Sequence, residues 1–181
     1  MEQASNKIHY LSGERQFFSQ QLPAALSLEL NQLLAEQFQD NGVSPLTVKD
    51  SNTLESRFRN MQQQWPQCVD PRIALFKLYF RTGRYPEAER EVWAAMSLLS
   101  GRQAFTRNYR LLRPEATDWL CNDSDQRQFL FCMKALGVIR LRRGKILLAK
   151  KVLGKLAELD PYDEIGGGSY WQIAQSFDEE D

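Results

Sequence analysis

A chain of 181 residues, 43% apolar and 25% charged, has the size of one domain and can bury a sizeable core. No apolar run approaches the roughly 20 residues that cross a bilayer, and Met1 to Tyr10 hold no stretch of signal-peptide type, so a cytoplasmic protein with no membrane insertion is expected. The zero net charge conceals segregation: residues 1–70 hold 5 basic and 8 acidic side chains, residues 71–160 hold 18 and 9, and residues 161–181 hold none and 6, a pattern that concerns partners more than fold.

Helical signals run through the chain in order. A short helix is expected over Glu14 to Gln21, broken off there because Leu22 precedes a proline. Leu26, Leu30, Leu33, Leu34 and Phe38 then share one face of a helix that Pro23 opens and Asn41-Gly42 ends. Asn52 is placed as the cap of the next helix, with Glu55 as the return partner of a capping box; Leu54, Phe58, Met61 and Trp65 form its stripe, and Pro66 stops it. Asp70-Pro71 opens a third helix, rich in Ile73, Leu75, Phe76, Leu78, Tyr79 and Phe80, which Gly83 ends. A fourth starts at Pro86 and runs to Ser100-Gly101. Further helices are expected from Asp125 to Arg142 and from Lys145 to Glu158, the latter closed by Asp160-Pro161. Gly166 to Gly168 read as a flexible joint. Ser169 caps a last helix with Tyr170, Ile173, Ala174 and Phe177 on one face. No segment sustains period-two alternation, so the fold class is all-α.

Two segments look alike. When Gly83 is set against Gly144, Ala88 falls opposite Ala149 and Val92 opposite Leu153. The second segment adds Leu136-Gly137, Lys155 and the ending Glu158-Leu159-Asp160-Pro161. The pattern resembles the tetratricopeptide repeat, a helix–turn–helix unit with a 34-residue period. A glycine permits the tight turn, an alanine lets the two helices cross closely, and a proline ends the second helix. The glycines here are 61 residues apart, which leaves about 27 extra residues, placed at 101–123, and Ser100-Gly101 stands where the first unit would have its proline. The resemblance implies antiparallel hairpins in a short solenoid over 67–161, with 1–66 as an N-terminal helical segment packed on it. Residues 162–181 would follow as glycine hinge, capping helix and acidic tail.

Little in the chain suggests chemistry. His9 is the sole histidine, and Cys68, Cys121 and Cys132 form no close pair. Three structural thiols are expected, with no disulfide framework. Gly166–Gly168 lack the lysine and hydroxyl residue of a phosphate loop. The expectation is therefore no enzyme, no cofactor and no metal.

The positive signal is binding. Arg102, Arg107, Arg110 and Arg113 punctuate the extra segment, interleaved with Phe105 and Tyr109. That mixture suits an acidic protein, or an RNA backbone with stacked bases; the plainer alternative is a solvated face whose aromatics turn into the core. In the family resembled, the first helix of each hairpin lines a groove that holds a partner segment. Carried over, Lys77, Phe80 and Arg81 with Lys134, Val138 and Arg142 would face it, and the two lysines would stand on its exposed wall. The expected function is thus a non-enzymatic protein-binding adaptor or chaperone that takes an acidic or amphipathic segment of another protein. Small bacterial chaperones of secretion machinery are the family-level analogy. The competing expectation is an RNA-binding or regulatory factor that uses residues 102–113.

Overall fold

The structure, a computed structural model, describes residues 22–38, 48–103, 105–121 and 124–177. The helix expected over 14–21, the Asn41-Gly42 stop, His9 and the acidic tip 178–181 lie outside the described residues. Among the described residues seven α-helices follow one another: α1 Ala24–Phe38, α2 Val48–Gln64, α3 Asp70–Arg81, α4 Tyr85–Arg102, α5 Asp125–Arg142, α6 Ile146–Leu159 and α7 Gly168–Ser176. Two 3-10 turns, Tyr109–Leu111 and Pro114–Ala116, interrupt the passage from α4 to α5. Among the described residues there is no strand, and no helix is long and apolar enough to cross a membrane.

The packing order follows the chain. α3 and α4 form one hairpin, α5 and α6 a second, and α4 packs on α5 to join them. α2 lies on α3, and α7 covers α6. Both hairpin turns use the same device. Gly83 and Gly144 take positive φ, 72° and 66°, a conformation glycine adopts without a Cβ penalty. The next N–H reaches back five residues, Arg84 to the Tyr79 carbonyl (2.8 Å) and Lys145 to the Arg140 carbonyl (2.9 Å). This is the Schellman closure, which satisfies carbonyls left open at a helix end.

Inside the hairpins the small residues are packed away from water. Ala88 and Ala149 are fully buried. A Cβ on Gly137 of α5 would come within 2.5 Å of the Leu153 side chain on α6, so the glycine and the leucine fit as hollow and knob. Phe76 of α3 and Phe131 of α5, with ring centroids 5.9 Å apart, extend the core from one hairpin to the next.

Several local expectations are corrected. α2 begins at Val48, which puts Asn52 inside the helix, and Glu55 closes no capping box: it bonds to Tyr79, Arg84 and Arg59. Asp70 is the first helical residue of α3, behind an N-cap at Val69, and is buried. The glycines after α6 do not form a free joint. Ile165, Gly166 and Gly167 are buried, and a Cβ on Gly167 would stand 2.5 Å from Leu156. Asp160 fastens the approach by accepting from the Glu164 and Ile165 N–H groups (2.9 and 2.8 Å). α7 starts at Gly168, ahead of Ser169. It presents Ala174 to the core with Tyr170 and Trp171 half-buried, while Ile173 and Phe177 are about half exposed (49% and 52%).

Candidate partner-binding surface

The six residues assigned to a groove do not share one fate. Lys77, Lys134 and Val138 are 1%, 0% and 3% exposed, so the two lysines are not on an open wall. Lys134 on α5 donates to the Ile165 carbonyl at 2.8 Å, and Arg127 of the same helix pairs with Glu164 at 3.0 Å. The segment that leaves α6 is thus laid against α5 at this point. Both lysine ammonium groups stand 5.4 Å from the Phe131 ring centroid, one contributed by α3 and one by α5. A cation over an aromatic face is a favourable way to hold charge away from water. Every residue of α5 from Gln128 to Arg140 is buried. Phe80 is half-buried, edge-on to Tyr85 with centroids 5.6 Å apart. Arg81 and Arg142, two residues before their respective turn glycines, are exposed. Arg142 is near enough to Tyr170 of α7 to favour its ionised form, although burial is the larger influence and leaves that phenol above its ordinary range.

A pair of glutamates, not anticipated from pattern, ties the units together. Glu55 on α2 accepts from the Tyr79 hydroxyl (2.7 Å) and pairs with Arg84 and Arg59. Glu89 on α4 pairs with Arg140 (3.1 Å) and with Arg143, and lies 3.9 Å from Lys145. With the turn glycines superposed, Tyr79 corresponds to Arg140 and Arg84 to Lys145. Each glutamate therefore grips the same two places of the hairpin that follows it. Glu55 and Glu89 are 34 residues apart, as are Leu54 and Ala88 just before them. That spacing was a readable sign that α2 repeats α4. Burial pushes the Glu55 carboxyl up, but hydrogen bonds from Tyr79, Arg84 and Arg59 together outweigh it and hold the group below the usual carboxylate range.

The basic insertion is structured. Arg102 pairs with Asp125 of α5 (3.2 Å), and Arg107 donates to the Ser97 hydroxyl (3.0 Å). Arg110 and Arg113 are exposed, and the Arg110 guanidinium is 5.9 Å from the Tyr109 ring. The interleaved aromatics serve the core. Tyr109 is 2% exposed, and its hydroxyl accepts from Arg140. Phe105 has the rings of Trp119 and Phe129 at 5.0 Å. Of the alternatives open for these aromatics, the inward one is realised. Phe105, Leu111, Leu112, Arg113 and Glu115 line an open cleft of about 590 Å³.

Cys132 is buried, which drives its thiol far above the ordinary range, whereas Cys121 is exposed and Cys68 half-buried. None of the three forms a disulfide, and an inert structural role fits the buried Cys132. Among the described residues no group of three His, Cys, Asp or Glu could hold a metal ion. No family model matches the chain, and neither a curated protein nor a solved structure matches it.

Proposed function

We propose that this protein is a non-enzymatic adaptor or chaperone of tetratricopeptide type, which captures a segment of a partner protein along its stacked hairpins. The observation that carries the reading is the pair Arg81 and Arg142. They occupy equivalent places in the two hairpins, and both stay exposed while Lys77 and Lys134 of the same two helices are buried. Repeated presentation of one cation per unit suits a partner segment with acids at matching intervals, since complementary charge selects partners and fixes register. Phe80 and Tyr85 beside Arg81, and Tyr170 near Arg142, add half-buried aromatic surface at each station. A secretion-type chaperone is one activity of this class.

Arg81→Glu with Arg142→Glu tests the proposal. Both side chains are exposed, so the double variant should keep its circular dichroism and melting temperature. Tagged wild-type protein should recover a partner from the native cell, identified by mass spectrometry with and without RNase, and the double variant should not. Undiminished recovery by a folded double variant would refute the proposal. RNase-sensitive recovery would favour the regulatory, RNA-binding alternative.

A further inference from the structure

We propose that the insertion between α4 and α5 is a second docking site, a preformed cleft for a protein segment in which a bulky apolar residue is flanked by acids. The inference goes beyond the groove reading and does not depend on it, because the cleft is built outside the repeating hairpins.

The insertion is held from several sides. The Trp119 indole N–H donates to the Arg113 carbonyl at 2.9 Å. Lys155 of α6 donates to the adjacent Leu112 carbonyl at 3.1 Å. Asn108 accepts from the Arg110 N–H at the head of the first 3-10 turn, and Tyr109 is fixed by Arg140. Leu112 is thereby buried, at 3%. Its neighbour Leu111, on the same pinned backbone, is 67% exposed. A loop that must only connect two helices ordinarily puts polar side chains in water. This one holds a leucine outward, on an open cleft that Phe105 and Leu112 also line. A surface already ordered loses little conformational entropy when a partner settles on it.

Charge identifies the occupant. Arg110 and Arg113 flank Leu111, are both exposed, and form no ion pair among the described residues. They contrast with Arg102, which Asp125 neutralises at 3.2 Å. Two uncompensated guanidinium groups on either side of an exposed leucine fit carboxylates on either side of an apolar side chain. Arginine suits that task, since its planar fork can take a carboxylate with two parallel hydrogen bonds. Glu115, the one acid among the cleft residues, disfavours an unbroken acidic run and an apolar residue must lie beside it. Nucleic acid is the less suited ligand, because Tyr109, one of the two aromatics that would have to stack on bases, is 2% exposed and held in the interior.

The test is an array of short synthetic peptides in which Asp or Glu flank Leu, Ile, Phe or Trp, with matched peptides carrying Lys for the acids or Ser for the apolar residue. A labelled single-stranded RNA is run beside them. Full-length protein should bind members of the acidic–apolar set, lose them in both control sets, and ignore the RNA. The best member should lose about tenfold or more in affinity by fluorescence anisotropy with Arg113→Glu and with Leu111→Ser, since like charge at an interface is strongly unfavourable. Both positions are exposed, and unchanged circular dichroism will show that the variants fold. Absence of any bound acidic–apolar peptide overturns the proposal. So does equal affinity of wild type and both variants, or binding confined to RNA.

Discussion

Tyr79 shows how far a single side chain can tie two helices. It is 1% exposed, it donates to Glu55 and accepts from Arg59, and the Arg84 guanidinium lies 4.5 Å from its ring. Burial, reinforced by the hydrogen bond to the Glu55 carboxylate, pushes its hydroxyl from about 10 up to about 12. Between those values the folded protein holds a proton that the unfolded chain has released. This contribution to stability is therefore complete below pH 10 and is lost as the pH rises toward 12. Screening at the partly exposed Arg59 limits it to about 1–2 kcal/mol. Tyr79→Phe should lower the melting temperature at neutral pH, because Glu55 loses a donor, and should flatten the alkaline fall. Parallel melting curves for wild type and Tyr79→Phe through this window would show that the bond carries no proton linkage.

Among the elements, α5 was both the most legible and the most misjudged. Its limits, Asp125 and Arg142, are those the periodicity gave, and Ser124 caps it by accepting from the Arg127 N–H. The hairpin turns were legible for the same local reason: a glycine at positive φ leaves a mark in sequence. What the pattern of charges concealed was burial. Charge alone suggests Lys134 as a groove cation, yet in sequence it is surrounded by Phe129, Leu130, Phe131, Cys132, Met133, Ala135 and Leu136, and a helix apolar all round is an interior helix. The capping box at Asn52 and Glu55 failed for a related reason: Glu55 satisfies its partners across helices, where local spacing carries no information. The buried position fixes what Lys134 variants will do. Lys134→Glu sets a carboxylate against the Ile165 carbonyl and should cost about 3–5 kcal/mol, the scale of an uncompensated buried charge. Lys134→Met keeps the stem, leaves one carbonyl without its donor, and should cost about 1–3 kcal/mol. Urea denaturation followed by circular dichroism will rank them. A Lys134→Glu variant as stable as wild type would put this lysine back on an open surface.

At the scale of the whole molecule, α7 is the element that covers the second hairpin, packing on α6 and touching α5. Pattern reading puts Tyr170, Ile173, Ala174 and Phe177 on one apolar face of α7; packing keeps Tyr170 and Ala174, adds Trp171, and leaves out the other two. Ala174 is fully buried, and the Trp171 indole lies on α6, so close that a Cβ on Gly154 would meet it at 3.1 Å. Ile173 and Phe177 are left half in water. The sequence could not decide between these faces because α7 is short and apolar on several sides, and the glycine at 154 that admits the indole is 17 residues earlier in the chain. The choice has measurable consequences. Truncation after Gly167 removes Trp171, Tyr170 and Ala174 from α6, and apolar burial of that extent is worth about 3–5 kcal/mol. For a chain of this size each kcal/mol moves the melting temperature by about 2–4 °C, so the truncated protein should melt roughly 6–20 °C lower. Trp171→Ala should reproduce about half of the loss, since the indole is half-buried. Phe177→Ala should stay within about 0.5 kcal/mol of wild type, as surface substitutions do. The reverse ranking, with Phe177→Ala costly and Trp171→Ala silent, would mean that α7 docks through the face its sequence pattern suggested.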